Sequence, residues 1–206
     1  MQHKRDQFIY TLRKYAPIDF VGYLVDCILD AKVRFKIVAR RKTKLGDFRL
    51  NAFESKPVIT VNGDLNPYSF LITALHELAH LDTFRVHGHT VEPHGKEWKM
   101  FFAKRLKPIL ESKKLPLPLQ EALEKSILKI KASSCSDIQL SRVLKTYDEH
   151  QETFLEQLPF QAEFILKDKR FIKGELRRTR YLCTEKSSKR IYLIHALAPI
   201  TPILYD

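Results

Sequence analysis

The sequence predicts an α+β fold, with helices packed on a small sheet and a small β-containing unit toward the C-terminal end. Three observations carry that expectation. Apolar residues recur at helical spacing up to about residue 31 and then switch to a period of two at Val33. A long, strongly apolar helical stretch follows Asn66. Beyond Pro116 and Pro118 the chain finishes in short strand-like segments.

Taken in order, residues 5–15 and 19–31 read as two helices separated by Pro17, the second with Phe20, Tyr23, Leu24, Cys27 and Ile28 as a core-facing stripe. From Val33, Phe35 and Ile37 alternate with Arg34, Lys36 and Val38, the pattern of a half-buried strand. Lys44-Leu45-Gly46-Asp47 supplies turn chemistry, so a hairpin is expected there, with Phe48, Leu50 and Ala52 continuing the alternation. PVITVN at 57–62 gives a third strand. Asn66-Pro67 opens a helix through YSFLITALHELAHLDTF to about Arg85, with proline in the first turn, where its missing N–H is harmless. A loop bounded by Gly88 and Pro93 precedes a helix from about His94 to Leu110, with Trp98, Phe101, Phe102 and Leu106 on its apolar face. The two prolines at 116 and 118 place a boundary between a first domain, 1–114, and a second part, 115–206. That second part reads as helices at 119–131 and 137–147, then strands near 163–167, 176–184 and 190–198.

With 44% hydrophobic and 29% charged residues the chain has the composition of a folded globular protein. Its first dozen residues lack the apolar core of a secretory signal, and the longest greasy run, 191–205, is short and broken by Pro199 and Pro202. A cytoplasmic protein without a membrane span is expected. Cys27, Cys135 and Cys183 are too scattered for a disulfide framework or a cysteine-rich zinc ribbon. The net charge is +12, and it is uneven: residues 1–114 hold 21 Lys and Arg against 12 Asp and Glu, the rest 15 against 12. Such an excess favours polyanions, so nucleic acid is the first partner to consider.

The motif that carries chemistry is His76-Glu77-x-x-His80 on the apolar helix. Residues i and i+4 of a helix lie about 40° apart on one face, so both imidazoles can present a nitrogen to one metal ion. Glu77, beside the first ligand, can reach a water on that metal without being a ligand, as a general base must. Zn2+ is the expected cofactor and amide hydrolysis the expected reaction. Burying two imidazoles and a carboxylate among Phe70, Leu71, Ala74, Leu75, Leu78 and Ala79 without partners would be costly. A catalytic site needs a third protein ligand, for which His87, His89 and His94 compete, with Glu97 ranked behind them. A metzincin pattern is excluded, because Val86 stands where its third histidine belongs and Thr83 where its glycine does.

YSFLITALHELAHL followed by His94 in HGKEW resembles the SprT-like, Spartan-related zinc metallopeptidases, and RRKTKLGDFRLNA and ITVNGDLN are similar to the segments preceding the motif in that family. The resemblance covers roughly residues 15–112. It implies a zincin-like minimal metalloprotease domain with His76, His80 and His94 as zinc ligands, Glu77 as catalytic base, and Gly95 and Trp98 shaping the helix start behind the third ligand. The four-cysteine zinc ribbon of many relatives is missing, which leaves a metal-free β unit as the expectation for the C-terminal part.

Seven Lys and Arg fall between residues 34 and 49, and Arg40, Arg41, Lys42 and Lys44 crowd the expected turn, where they could track phosphates. Arg170, Lys173, Arg177, Arg178 and Arg180 form a second basic cluster. The resemblance implies a zinc-dependent endopeptidase cleaving proteins bound to or near DNA, and that is the expected function. The alternative is a nucleic-acid-associated zinc-binding module with little or no proteolytic activity.

Overall fold

The computed structural model describes residues 2–41, 43–50, 56–129, 138–149 and 152–203. The chain is α+β and divides into two compact units, Met1–Glu149 and His150–Asp206.

In unit 1, α1 (Gln2–Leu12) is held to α2 (Ile18–Asp30) by a two-point bond from Arg5 to Asp26, at 2.6 and 3.0 Å. The α2 stripe of Phe20, Val21, Leu24, Val25, Cys27 and Ile28 is buried, as its spacing requires. The strands β1 (Arg34–Val38), β2 (Gly46–Arg49) and β3 (Val58–Asn62) form one sheet in the order β1-β3-β2. Here the expected hairpin is corrected. β1 and β2 do not pair; β3 lies between them, parallel to β1 and antiparallel to β2. The reason is burial: every residue of β3 is buried and none is charged, which favours it in the centre of the sheet, while the charged β1 and β2 take the edges. Gly46 and Asp47 therefore belong to a strand rather than a turn.

The long helix α3 (Pro67–His87) lies at the heart of the core. Asn66 caps it by accepting from Ser69 N at 2.9 Å, and Gly88, at φ +60°, ends it. Phe70, Leu71, Ile72, Ala74, Leu75, Leu78, Ala79 and Leu81 are all buried, so the helix is enclosed on nearly every side. α4 (Lys96–Glu111) packs on it through Trp98, Phe102, Leu106 and Ile109.

The boundary expected at 114/115 falls instead after Glu149. Leu119 and Leu123 of α5 (Leu117–Lys129) are fully buried in the same core, and Leu140, Val143 and Leu144 of α6 (Ile138–Lys145) pack against it. The α3 cap, Asn66, also donates to Leu144 O at 2.9 Å and to Asp148, while Tyr68 and Tyr147 stack edge to face.

Unit 2 is an antiparallel sheet of β4 (Glu163–Leu166), β5 (Lys169–Arg177), β6 (Arg180–Glu185), β7 (Ile191–His195) and β8 (Thr201–Pro202), ordered β7-β6-β5-β4-β8. Its core is Leu155, Phe164, Phe171, Cys183, Ile194 and Ile200. The single strand expected at 176–184 is two strands joined at Arg178-Thr179, with Arg178 at φ +59°. No Gly, Asn or Pro marks that turn. Lys173, expected in a surface basic cluster, is 4% exposed: its ammonium donates to the carbonyls of Glu156 and Leu158 and lies 4.1 Å over the Tyr181 ring.

Candidate metal centre

The helix α3 brings His76 and His80 to one face, one turn apart, with their Nε2 atoms 3.1 Å from each other. His94 arrives from outside any helix. Gly95 N–H donates to Glu92 O at 2.9 Å, Pro93 occupies the second position of that turn and His94 the third, at φ +62°. This is the signature of a type II turn, which requires a left-handed third residue and admits proline before it. The helix expected to begin near His94 therefore begins at Lys96, after Gly95. A left-handed histidine costs about 1–2 kcal/mol, which the surrounding contacts must offset.

The turn aims His94 Nε2 at the other two, 2.9 Å from His80 and 3.1 Å from His76. Hydrogen bonding alone cannot satisfy this triangle. An imidazole nitrogen either carries a proton and donates or lacks one and accepts. In a closed ring of three, at least one contact must set donor against donor or acceptor against acceptor. A cation shared by three lone pairs removes the conflict. Protonation is not the way out: burial, with repulsion from the neighbouring rings, pushes His76 down to about 3 and His80 to about 4, and burial with Lys99 lowers His94. At neutral pH the three imidazoles are uncharged. They form the metal-capable cluster found among the described residues, and His87, His89 and Glu97 stand outside it. His87 faces Phe101 at 6.3 Å and His89 faces Phe84 at 5.0 Å.

Two supports hold the triangle. Trp98, 2% exposed, places its ring 4.6, 5.2 and 4.8 Å from those of His76, His80 and His94, and Phe102 stacks behind it. The sequence suggested contact with His94 alone. Asp82, two residues past His80, receives two bonds from Arg105 of α4, at 2.7 and 2.8 Å, and Tyr23 of α2 donates to Arg105 O at 2.7 Å. This clamp fixes α4, and hence the turn before it, against α3. Nothing local in the sequence marks Asp82 and Arg105 as partners, because they are 23 residues apart.

Glu77 is 7% exposed and lies against β2. Burial first, then the charge of Asp47, pushes its carboxyl up to about 7, while the Phe48 backbone N–H, Arg41 and Lys44 oppose that rise. A Cβ at Gly46 would stand 2.5 Å from Glu77 Oε1 and 2.7 Å from Thr73 Cγ2. Gly46 is thus required by close approach, and a glycine inside an alternating strand pattern is the signal that could have shown it.

The basic residues of the 40–44 segment scatter in role. Arg41 turns onto the sheet, donating from Nε to Asn62 Oδ1 at 2.8 Å and from NH1 to Thr60 Oγ1 at 2.9 Å. Arg40 pairs with Asp64 at 3.5 Å and Lys44 with Asp47 at 2.8 Å, both with exposed side chains. Lys42 lies outside the described residues. No helix among the described residues is long and apolar enough to cross a membrane. No protein-family model, no curated protein and no solved structure matches the chain.

Proposed function

We propose that unit 1 is a zincin-like, zinc-dependent endopeptidase, with His76, His80 and His94 as ligands and Glu77 as general base. The convergence of three neutral Nε2 atoms within 3.1 Å of one another carries this reading. Their spacing suits zinc, since tetrahedral Zn–N bonds of about 2.0–2.1 Å set nitrogens about 3.3 Å apart. When bound, zinc supplies Lewis acidity at a scissile carbonyl and acidifies water. The remaining work belongs to the chain. Glu77, a buried carboxylate next to the first ligand, would take a proton from the attacking water and return it to the leaving amine. Trp98 and Phe102 keep solvent from the rear of the imidazoles. β2, an edge strand beside Glu77, offers an extended substrate a place to add as a further strand.

Glu77→Gln is the decisive variant: zinc content stays at wild-type level while cleavage of a protein substrate drops about 100- to 10,000-fold. Full activity in that variant would sink the assignment. The second reading, a zinc module without proteolysis, draws support from the Phe48 N–H bond to Glu77, which makes that carboxylate an anchor for β2. It wins if metal-loaded wild type cleaves no substrate and Glu77→Gln merely melts earlier. A DNA-associated substrate is supported by the net charge of +12 rather than by particular residues. Its test is duplex-DNA affinity against salt, where a flat dependence between 50 and 200 mM would remove DNA from the proposal, those salt limits being roughly the range over which phosphate contacts show.

A further inference from the structure

β7 ends its sheet, and among the described residues no strand pairs with its outer side. Glu185 N–H donates to Arg190 O and Ala196 N–H to Thr179 O, each at 2.9 Å. These bonds turn the peptide groups of the even-numbered residues toward β6, so those of Ile191 and Leu193 point outward. Leu193 O receives a 3.5 Å contact from Arg180 NH1. The side chains of Ile191 and Leu193 are 66% and 53% exposed. They stand on the face opposite Ile194 and Cys183, and the register continues them into the half-buried Leu182 and Ile172.

Among the described residues two other sheet edges are blunted, and the remaining one, β2, is the edge proposed above for the substrate. β8 is two residues long and ends in Pro202, which has no N–H, and β1 presents exposed Arg34 and Lys36. β7 has neither device. Its ends are strongly basic, with exposed Lys189 and Arg190 before it and exposed Arg178 and Arg180 beside its far end. An antiparallel second copy would bring these like charges together. A single-stranded nucleic acid would need aromatic platforms, and this face is aliphatic.

We propose that β7 is a strand-addition site for an extended segment of a partner protein, with alternating apolar residues flanked by acidic ones. Backbone pairing to Ile191 and Leu193 supplies affinity, the aliphatic strip selects the side chains, and the basic ends select the flanks. This does not depend on the metal centre or on proteolysis.

The test is fluorescence anisotropy with the full chain and a labelled decapeptide of alternating valine and threonine carrying two aspartates at each end. It binds at least tenfold more tightly than the same peptide flanked by lysines. Leu193→Pro removes the outward donor without touching the β6 bonds, and the double variant Ile191→Thr/Leu193→Thr removes the apolar strip at constant charge; each weakens binding tenfold or more. If Leu193→Pro misfolds, the double threonine variant, with wild-type circular dichroism, carries the test. Equal affinity for the two peptides, or undiminished binding by the folded variants, overturns the proposal. So does a dimer in ultracentrifugation that the double variant abolishes, or an oligothymidylate that binds more tightly than the peptide and is released by the same substitutions.

Discussion

Unit 2 carries a buried cation as part of its own chain, the Lys173 ammonium, satisfied by the Glu156 and Leu158 carbonyls and the Tyr181 ring. Unit 1 gathers three uncharged nitrogens that oppose one another. One core closes its polar account internally; the other gathers donor atoms that could hold a metal ion. Polar groups that satisfy each other stabilise a fold, whereas a cluster of neutral imidazoles converging on one point has the makings of a metal site.

The largest effect that can break this contrast is removal of the metal. On the proposed zinc site, free zinc at about 1,000 times its Kd adds about 4 kcal/mol to unit 1 and nothing to unit 2. Hydrogen exchange after chelation therefore accelerates in α3 and α4 and stays unchanged in β4–β6. His94→Ala brings bound zinc from about one per chain to nearly none by elemental analysis; undiminished tight zinc would remove the third ligand. Lys173→Met leaves the Glu156 and Leu158 carbonyls unpaired and costs unit 2 about 3 kcal/mol, measured as exchange in β5 and β6 with zinc content unaltered. Gly46→Ala forces a methyl against Glu77 and costs about 2 kcal/mol; cleavage falls while zinc is retained.

The smallest effect separates the units by pH. Glu185 is held down to about 2 by Ser188, then by Lys169 and Tyr192. Its contribution is complete above the ordinary carboxylate value of 4.5 and is lost as pH falls toward 2. Glu185→Gln consequently flattens the acid dependence of unit 2 melting, followed by exchange in β6 and β7. An unaltered slope between those pH values would show that Glu185 does not set it.

The sequence revealed what is written in neighbouring residues. The start of α3 is legible because Asn66 and Pro67 are local cap signals, and the histidine pair because helical spacing maps directly onto a face. The downstream HGKEW places His94, but not its left-handed turn, because the helix signal of the residues after it runs two residues too far toward the N-terminus. The β1-β3-β2 order depends on which strand the core buries most completely, a long-range competition that alternation alone does not resolve. Lys173 shows the same limit: alternating basic residues look alike on paper, and only the carbonyls of a preceding turn draw one of them inside. The boundary at Pro116 and Pro118 failed because prolines can open a helix as well as end a domain, and here they lead into α5.

Trp98 is the chain's sole tryptophan and sits against all three imidazoles. The indole emission of the whole protein thus originates at one place, within contact of the groups whose occupancy matters. Filling the triangle with a paramagnetic or coloured ion such as cobalt would quench that light, and an ion without such transitions would leave it bright. Binding, exchange and competition among metals can be followed on the unlabelled chain, by a fluorophore that the packing of α3 and α4 has already installed.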